Sequence, residues 1–262
     1  MVRPIVTLTT DFGLLDHFVG AMKGVILSSC PQAQIVDISH EVTPFAISEG
    51  AFVIAQAWRY FPKKTVHLVI VDPGVGTARR PILVECCGQY FIGPDNGVLA
   101  MVYAREKHKA REITNQKIFL HPVSNTFHGR DIFAPAAAFL AAGGRPSQLG
   151  KLIEDHLKPT FVDPMRTSKR AWTGIVLKVD RFGNLITNFA IQEFEFLRER
   201  PFEIQVGAQR ITQLAKTYGV APPGEPVAIV GSSGYVEIAI NQDSAARRLG
   251  CAAGAPVDLT IY

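Results

Sequence analysis

The sequence predicts an α/β N-terminal domain with a central, mostly parallel sheet, followed by a smaller, barrel-like, all-β C-terminal domain. In the first part of the chain, β-branched apolar runs alternate with segments that are apolar at helical period. From residue 172 onward, the helical pattern stops, and short strand-like runs are separated by glycine and proline. Residues 156–171 carry two prolines and no periodicity. We therefore predict domains at 1–155 and 172–262, joined by a linker at 156–171.

The elements of the first domain follow from these patterns in order. Ile5–Thr9 is a β-branched run that ends in a turn, and Val66–Val71 is a continuous apolar run typical of a strand buried on both faces. Asp16 is the predicted N-cap of the first helix, and Gly143 and Gly144 end the last one. The remaining predicted elements are helices over Asp16–Ser29, Ser48–Phe61 and Asp131–Ala142, and strands over Gln34–Ile38, Ile82–Cys86 and Gln89–Ile92.

The second domain is predicted to contain strands only. Each run is short and rich in β-branched or aromatic residues, and turn-forming residues bound it. The predicted strands are Trp172–Val179, Glu203–Val206, Val227–Val230, Tyr235–Ile240 and Pro256–Ile261.

Composition excludes several classes of protein. The 262 residues are 47% hydrophobic, which is enough to bury a sizeable core. The net charge is +4, but no long run of Lys or Arg points to a nucleic-acid or membrane partner. No signal peptide and no membrane-spanning run are found, and the four cysteines form no CxxC motif. These features predict a cytoplasmic protein with reduced thiols.

Polar clusters follow two of the predicted strands and precede a predicted helix. Asp11 lies in TTDFG after the first strand, Asp72 begins DPGVGTARR after the strand Val66–Val71, and His128 lies in FHGRD. Ligands of open α/β sheets bind beyond the carboxyl ends of the strands, so the three clusters are expected to converge on one pocket. The glycines and arginines after Asp72 also suit an anion nest, although neither a Walker loop nor a GxGxxG motif is present.

Other site chemistries are poorly supported. Histidines and acids are present, but none falls at a recognised metal-ligand spacing. His67 lies in the middle of a buried strand, which predicts a hydrogen-bonded core histidine. The GSSG segment at residues 231–234 lies between two predicted strands, and we interpret it as a binding turn rather than a nucleophile elbow.

Seven ordered motifs give the sequence a specific resemblance to a known family. They are TTDFG (9–13), DISHEVTPF (37–45), VDPGVGTARR (71–80), GPDNG (93–97), FHGRD (127–131), DRFGN (180–184) and GSSGY (231–235). In this order and without large gaps, they resemble the S-adenosylmethionine hydroxide adenosyltransferase family, which is related to the fluorinases and chlorinases. The resemblance implies an adenosine-forming S-adenosyl-L-methionine hydrolase, in which water attacks the 5′ carbon and methionine leaves.

The resemblance also implies which residues catalyse the reaction and which bind the substrate. Asp72, Arg79 and His128 correspond to the family's catalytic set. Asp11 matches the acid that holds the ribose hydroxyls, and Phe45 an aromatic position that packs on the ligand. The other positions implied to bind substrate are Asp95, Asn96, Asp180, Phe182, Asn184, Ser232, Ser233 and Tyr235.

The resemblance further implies a homotrimer that binds its small-molecule substrate at subunit interfaces. Halogenating relatives carry Arg in the turn that holds Ser232 and Ser233, lack an acid at the position of Asp72, and have an inserted loop that is absent between Cys86 and Phe91. The acid and the missing loop favour water over halide as the nucleophile.

The chemistry needs no general acid, because the sulfonium leaves as a neutral thioether, and we expect neither a cofactor nor a metal. Arg79 stays charged and serves as an orienting group. His128 is the better general base if its pKa allows, and Asp72 is the alternative. Two other functions remain open at this stage. They are a non-catalytic sensor of adenosine or S-adenosylmethionine and a metal-dependent nucleotide phosphoesterase that uses Asp11, Asp72 and His128.

Overall fold

The computed structural model describes residues 3–262 and divides into two units, Met1–Pro159 and Thr160–Tyr262. The predicted linker at 156–171 is partly structured. It contains a 3-10 turn at Thr160–Val162 and a strand at Met165–Ser168 that pairs with the strand after it. Among the described residues, no helix is long and apolar enough to cross a membrane.

The first unit is built on a seven-stranded sheet with helices packed against it. The elements are β1 (Ile5–Thr10), α1 (Phe18–Ser29), β2 (Gln34–Ser39), α2 (Ile47–Ala57), β3 (Val66–Ile70), β4 (Pro81–Cys86), β5 (Gln89–Pro94), α3 (Ala100–Tyr103), β6 (His108–Glu112), α4 (Ala134–Ala141) and β7 (Leu152–Ile153). The strands lie in the sheet in the order β2-β1-β3-β5-β4-β6-β7.

The prediction of a mostly parallel sheet is not confirmed, because the sheet is mixed. The strands β2, β1, β3 and β5 are parallel neighbours, whereas the pairs β5–β4, β4–β6 and β6–β7 are antiparallel. The tight turn at Cys87 and Gly88, both with positive φ, reverses the chain between β4 and β5. Strand β6 escaped prediction because its sequence, HKARE, is polar and buries only Ala110.

The helices differ from prediction mainly at their ends. Helix α1 begins at Phe18 after His17, and no side chain caps it, so the predicted Asp16 cap is wrong. Helix α2 ends at Ala57 and continues as a 3-10 turn, Trp58–Tyr60. Helix α4 is preceded by a π-helical turn, Gly129–Phe133. The predicted glycine stop is confirmed, since Gly143 has φ +95° and follows Ala142, the C-cap of α4.

His67 is the hydrogen-bonded core histidine that its place in a buried strand predicted. It is fully buried in β3, with Nδ1 2.7 Å from Thr7 Oγ1 and Nε2 2.5 Å from Gln89 Oε1. Gln89 in turn donates to the carbonyls of Trp58 and Phe61. Burial lowers the pKa of His67 to about 4, so the ring is neutral at physiological pH. The network crosses three strands and is structural.

The second unit is a single curled nine-stranded sheet, a half-barrel, with one short helix. The long strand β9 (Ala171–Val179) pairs with β16 (Pro256–Ile261) through its first half and with β10 (Leu185–Ala190) through its second half, which lets the sheet curl. Strand β10, with the sequence LITNFA, is fully buried and was not predicted. The elements are β8 (Met165–Ser168), β9 (Ala171–Val179), β10 (Leu185–Ala190), β11 (Phe202–Val206), β12 (Gln209–Ile211), β13 (Leu214–Ala215), β14 (Pro226–Val230), β15 (Tyr235–Ile240), α5 (Ala245–Leu249) and β16 (Pro256–Ile261).

Candidate active site at the strand ends of the first unit

Asp11 and Asp72 lie at the same edge of the first sheet. Strands β1 and β3 are parallel neighbours, and Thr10 pairs with Ile70, so the residues that follow both strands leave the sheet side by side. The two carboxylates are close enough that the charge of Asp72 contributes to a raised pKa of Asp11, although burial is the larger cause. The structure therefore confirms that these two strand-end acids converge.

The loop after Asp72 turns back so that Arg79 meets the carboxylate. Val75 N donates to Asp72 O, and Thr77 N and Oγ1 both donate to Gly74 O, which makes two successive tight turns. Gly76 has φ +76°, and a Cβ built there would lie 2.2 Å from Asn125 O. Only glycine fits this position, because both the backbone angle and the close approach exclude a side chain.

Arg79 forms a two-point contact with Asp72. Its Nε donates to Asp72 Oδ1 over 2.9 Å, and its Nη2 donates to Asp72 Oδ2. Both side chains are at least nine-tenths buried, and the guanidinium also lies 5.1 Å from the ring centre of Phe133. Its Nη1 is buried and has no hydrogen-bond partner among the described residues. The cluster thus holds one polar donor that its own unit does not use.

His128 completes the cluster from the other side. It directly precedes the π-helical turn that leads into α4, and Arg79 Nη2 lies 2.9 Å from its Nδ1. Arginine only donates, so Nδ1 must accept, and a neutral imidazole then carries its proton on Nε2. Burial lowers the pKa of His128, and the charge of Arg79 lowers it further, against smaller opposing effects of Asp72 and Asp131. The ring is therefore a neutral donor at Nε2.

Asp11 also fixes the position of Phe45. Its Oδ2 accepts a hydrogen bond from Phe45 N over 2.9 Å. Phe45 has φ +68°, which is strained for a bulky residue, and its side chain is exposed. Strained backbone conformations cluster at active sites and ligand-binding sites, so this outlier supports Phe45 as a candidate contact.

The side chains of Asp95 and Asn96 form hydrogen bonds that hold the loop between Asp72 and Arg79 in place. Asn96 Nδ2 donates to Val71 O over 2.8 Å, immediately before Asp72. Asp95 Oδ2 accepts from Arg80, immediately after Arg79, while its Oδ1 accepts from Leu157 N. These contacts hold both ends of the Asp72–Arg79 segment. From the sequence, Asp95 and Asn96 were expected to bind substrate. Their role in positioning the loop was not predicted, and neither was the part that Arg80 plays in it.

In the second unit, Asp180 closes the turn between β9 and β10. Its Oδ1 accepts from the backbone nitrogens of Phe182 and Asn184, and its Oδ2 accepts from Asn184 Nδ2. The turn leaves Phe182 highly exposed while Asn184 is buried. Gly183 has φ +88°, and a Cβ there would lie 2.1 Å from Ser244 Oγ, so the DRFGN motif needs this glycine.

The GSSGY motif forms the hairpin turn between β14 and β15, as the interpretation of a turn between two strands predicted. Gly231 N donates to Tyr235 O, and Gly234 N donates to Gly231 O. Ser232 is exposed, whereas Ser233 Oγ is buried and has no partner among the described residues. The motif residues of the second unit thus form two turns, one centred on Phe182 and one on Ser233.

The sequence reasoning missed a buried acid near these turns. Glu237 lies in β15 and is only 5% exposed. An acid inside the apolar run YVEIAI was the available signal, because a strand that is otherwise buried rarely carries a carboxylate without a specific use. In the described part of the chain, no group of three or more His, Cys, Asp or Glu side chains is arranged to hold a metal ion.

These observations define a two-unit α/β and β protein whose polar cluster lies at the carboxyl ends of parallel strands. Two models of one family match the chain, namely the SAM hydroxide adenosyltransferase N-terminal domain over residues 6–150 and the C-terminal domain over residues 174–258. The chain belongs to the SAM hydroxide adenosyltransferase family, SAM being S-adenosylmethionine.

Individual relatives agree with this family. The chain is 39% identical to an (R)-S-adenosyl-L-methionine hydrolase of Salinispora tropica, over 96% of this chain and 95% of that protein. A fluorinase of an Actinoplanes species is 29% identical, over 98% of both chains. A crystal structure of an uncharacterized conserved protein from Thermotoga maritima superposes with a TM-score of 0.86 at 37% identity, covering 97% of this chain and 99% of that one.

Proposed function

We propose that the protein hydrolyses (R)-S-adenosyl-L-methionine at C5′, giving adenosine and L-methionine. The observation that carries the proposal is the hydrogen-bonded cluster of Asp72, Arg79 and His128 at the strand ends. The family adds support, since four relatives named as hydrolases of this substrate are 36% to 39% identical along nearly the whole chain.

The reaction is a displacement at carbon. The oxygen of a water molecule forms a bond to C5′ while the C5′–S bond breaks, and the electron pair leaves with sulfur as a neutral thioether. The water gives up one proton. No acid has to protonate the leaving group, so the enzyme's task is to place water in line and to stabilise its developing negative charge.

Asp72 is the better candidate to accept the proton or orient the water. His128 Nδ1 accepts from Arg79, so its Nε2 carries hydrogen and donates. That donor suits the water oxygen as it gains negative charge, whereas a base would need a free lone pair at Nε2. Each oxygen of Asp72 keeps a second lone pair beyond its bond to Arg79.

The remaining contacts are assigned by the resemblance and supported by the local geometry. We assign the ribose hydroxyls to Asp11, whose Oδ1 accepts no side-chain hydrogen bond from the described residues, while its Oδ2 accepts from Phe45 N. Phe45 and Phe182 offer exposed rings for packing against the ligand. The amino-acid end and the adenine are assigned to residues of the second unit, namely Asp180, Asn184, Ser232, Ser233 and Tyr235.

We also propose that the active protein is a homotrimer that binds its substrate at subunit interfaces and uses no cofactor or metal. Light scattering after gel filtration tests the oligomer, with a mass of three chains expected and a monomer contradicting it. A cytoplasmic location stays a prediction of the sequence.

The test of the reaction is turnover of S-adenosylmethionine in ¹⁸O-water. The expected product is adenosine that carries label in its 5′ hydroxyl, together with unlabelled methionine. Binding without turnover would instead support a sensor. Loss of activity with a chelator, or release of inorganic phosphate from nucleotides, would support a metal-dependent phosphoesterase.

A parallel incubation with excess chloride or fluoride tests the choice of nucleophile. Water is favoured because Asp72 brings a negative charge to the cluster, and a carboxylate repels a halide. The expected result is adenosine in every salt. Formation of a 5′-halogenated adenosine would contradict the assignment of water.

A further inference from the structure

His40 is the buried histidine of the DISHEVTPF motif, and it is not among the residues assigned to catalysis or binding. It follows β2 directly and is only 4% exposed. Its Nδ1 lies 2.9 Å from Oγ1 of Thr10, the last residue of β1. Because Thr10 immediately precedes Asp11, this contact joins the motif to the strand end that carries the acid assigned to the ribose.

The backbone of His40 holds the TTDFG turn from its other end. Gly13 N donates to His40 O over 2.8 Å, and Val42 N donates to Thr10 O over 3.4 Å. One contact of His40 therefore precedes Asp11 in the chain and the other follows it. A single residue of the DISHEVTPF motif thus brackets Asp11.

The hydroxyl of Thr10 and the carboxylate of Asp37 determine how the ring of His40 is protonated. Phe12 N donates to Thr10 Oγ1 over 3.3 Å, so that oxygen is an acceptor in the turn. On the far side of the ring, Nε2 lies 3.1 Å from Asp37 Oδ1 in an ion-pair contact that is not aligned as a hydrogen bond. A carboxylate favours a hydrogen on the nitrogen that faces it, so Nδ1 of the neutral ring accepts from the Thr10 hydroxyl.

Asp37 keeps its negative charge beside the ring because a lysine holds it. Lys23 Nζ donates to Asp37 Oδ2 over 2.6 Å. Burial raises the pKa of Asp37, but the hydrogen bonds and charges of Lys23 and His40 together outweigh that effect and lower it. The side chains of Lys23 and Asp37 are 32% and 40% exposed, so their ion pair adds little to stability. Its main effect is to orient the ring of His40.

The same motif reaches Asp11 a third time through Phe45. Asp11 Oδ2 accepts from Phe45 N, whose backbone has a positive φ. This bond fixes one oxygen of the carboxylate, but the direction of the other oxygen also depends on where the TTDFG turn lies. The contacts of His40 at Thr10 and Gly13 set that position.

We propose that His40 is a positioning residue, which directs the Asp11 carboxylate toward the ribose hydroxyls through the contact of its Nδ1 with the Thr10 hydroxyl. The proposal rests on the proposed function, in which Asp11 binds the ribose. His40 contacts no substrate atom in this role, because it acts through the TTDFG turn. The buried part of the DISHEVTPF motif thereby becomes part of ribose recognition.

Two substitutions separate the two nitrogens of the His40 ring. Asparagine presents an amide near the place of Nδ1, and glutamine presents one near the place of Nε2. His40→Asn should therefore keep an acceptor for the Thr10 hydroxyl, whereas His40→Gln should keep only the contact with Asp37. Glutamine leaves the smaller cavity, so a ring that only filled space would be replaced better by glutamine than by asparagine.

Calorimetric binding of adenosine and of 2′,3′-dideoxyadenosine is the measurement, because the two ligands differ only in the ribose hydroxyls. We expect the unmodified protein to prefer adenosine by roughly 10- to 100-fold, as for charge-assisted hydrogen bonds to Asp11. His40→Gln should lose most of that preference, and His40→Asn should retain most of it. In turnover of S-adenosylmethionine, His40→Gln should raise KM with little change in kcat.

The matched control is a second threonine–histidine contact on the same strand. Thr7 Oγ1 lies 2.7 Å from His67 Nδ1, and Thr7 is fully buried in β1, as Thr10 is. Thr7→Val and Thr10→Val each replace one buried hydroxyl by a methyl group of similar size. Both should lower the midpoint of thermal unfolding, but only Thr10→Val should lose the preference for adenosine.

A double variant tests whether His40 acts through Asp11. Asp11→Asn should itself lose most of the preference for adenosine, and adding His40→Gln should cost no further preference. A further loss in the double variant would place the effect of His40 outside Asp11 and would overturn the proposal.

Four other outcomes would also overturn it. They are an unchanged preference in His40→Gln, equal weakening of both nucleosides by that variant, loss of the preference in Thr7→Val, and equal binding of the two nucleosides by the unmodified protein. Failure of the proposed function is a separate result, because it would be seen as absence of adenosine release by the unmodified protein. The comparison of the two nucleosides still decides the role of His40 in that case.

Discussion

Arg79 fixes the protonation state of His128. The guanidinium Nη2 lies 2.9 Å from the imidazole Nδ1 and donates to it, so a proton on Nδ1 would face a donor and a positive charge. The same guanidinium donates two hydrogen bonds to the carboxylate of Asp72. A single arginine thus sets both the orientation of the acid and the tautomer of the histidine, and the predictions on turnover follow from that arrangement.

Turnover should fall on the acid side as His128 becomes protonated. The pKa of His128 is lowered from its usual 6.5 by burial and by Arg79, so the neutral donor is present at pH 7 and is lost only well below it. We expect a kcat profile with an acid limb whose midpoint lies below 6.5. In His128→Asn, which keeps an acceptor for Arg79, kcat should drop about 100-fold and this limb should disappear. An unchanged limb in the variant would show that another group titrates.

Arg79→Lys should lose most of the activity even though it keeps the charge. Lysine cannot make the two-point contact with Asp72 and reach His128 at the same time. We expect kcat to fall by about 10² to 10³, the range seen when one preorganised donor is removed, with little change in KM. Steady-state kinetics measure both constants. A rise in KM at constant kcat would instead make Arg79 a binding residue.

Asp11→Asn should weaken binding more than it slows the chemistry. Asparagine can still accept from Phe45 N, so the strained backbone at Phe45 is preserved while the charge is lost. Charge-assisted hydrogen bonds contribute about 1.5–3 kcal/mol, which corresponds to a rise in KM of roughly 10- to 100-fold. Because the pKa of Asp11 is raised, the unmodified protein should bind substrate more weakly as the pH falls through it. Equal KM values in both proteins would refute the ribose assignment.

Gly76→Ala should damage the loop that brings Arg79 to Asp72. The new methyl group would meet the Asn125 carbonyl at a positive φ, so we expect a loss of about 1–3 kcal/mol in unfolding free energy and a severe loss of kcat. Gly74→Ala is the matched control in the same loop, since its new methyl group would come nearest to the side chains of Arg79 and Thr77, at 3.4 Å, which is ordinary van der Waals contact. Denaturant unfolding and turnover are measured on both, and similar effects of the two changes would contradict the steric explanation.

The strand-end acids were predictable because a continuous apolar run specifies a buried strand, and parallel neighbours end at the same edge. Val66–Val71 gave both the strand and the position of Asp72, and His67 followed from its place within that run. The reaction was predicted from the resemblance of the ordered motifs to a known family. The pattern of apolar residues alone does not indicate any reaction.

Other features depend on tertiary contacts that leave little trace in a single segment. Strand β6 is polar and pairs between β4 and β7, so local patterning does not reveal it, and the sheet becomes mixed there. The roles of Asp95 and Asn96 depend on Arg80 and Val71, residues that lie about 15 to 25 positions away. The protonation state of His128 needed the position of an arginine 49 residues away along the chain.

The π-helical turn Gly129–Phe133 has a consequence for how this site can be altered. Such a turn holds one residue more than an α-helix would, and it lies between His128 and α4. Removing a single residue from it would let α4 run on regularly and would relieve an uncommon geometry, but it would also rotate His128 by about 100°, one residue of helix. A deletion at this position is therefore expected to raise stability and to lower turnover. A screen for heat resistance alone would favour shortened variants that no longer place His128 beside Arg79.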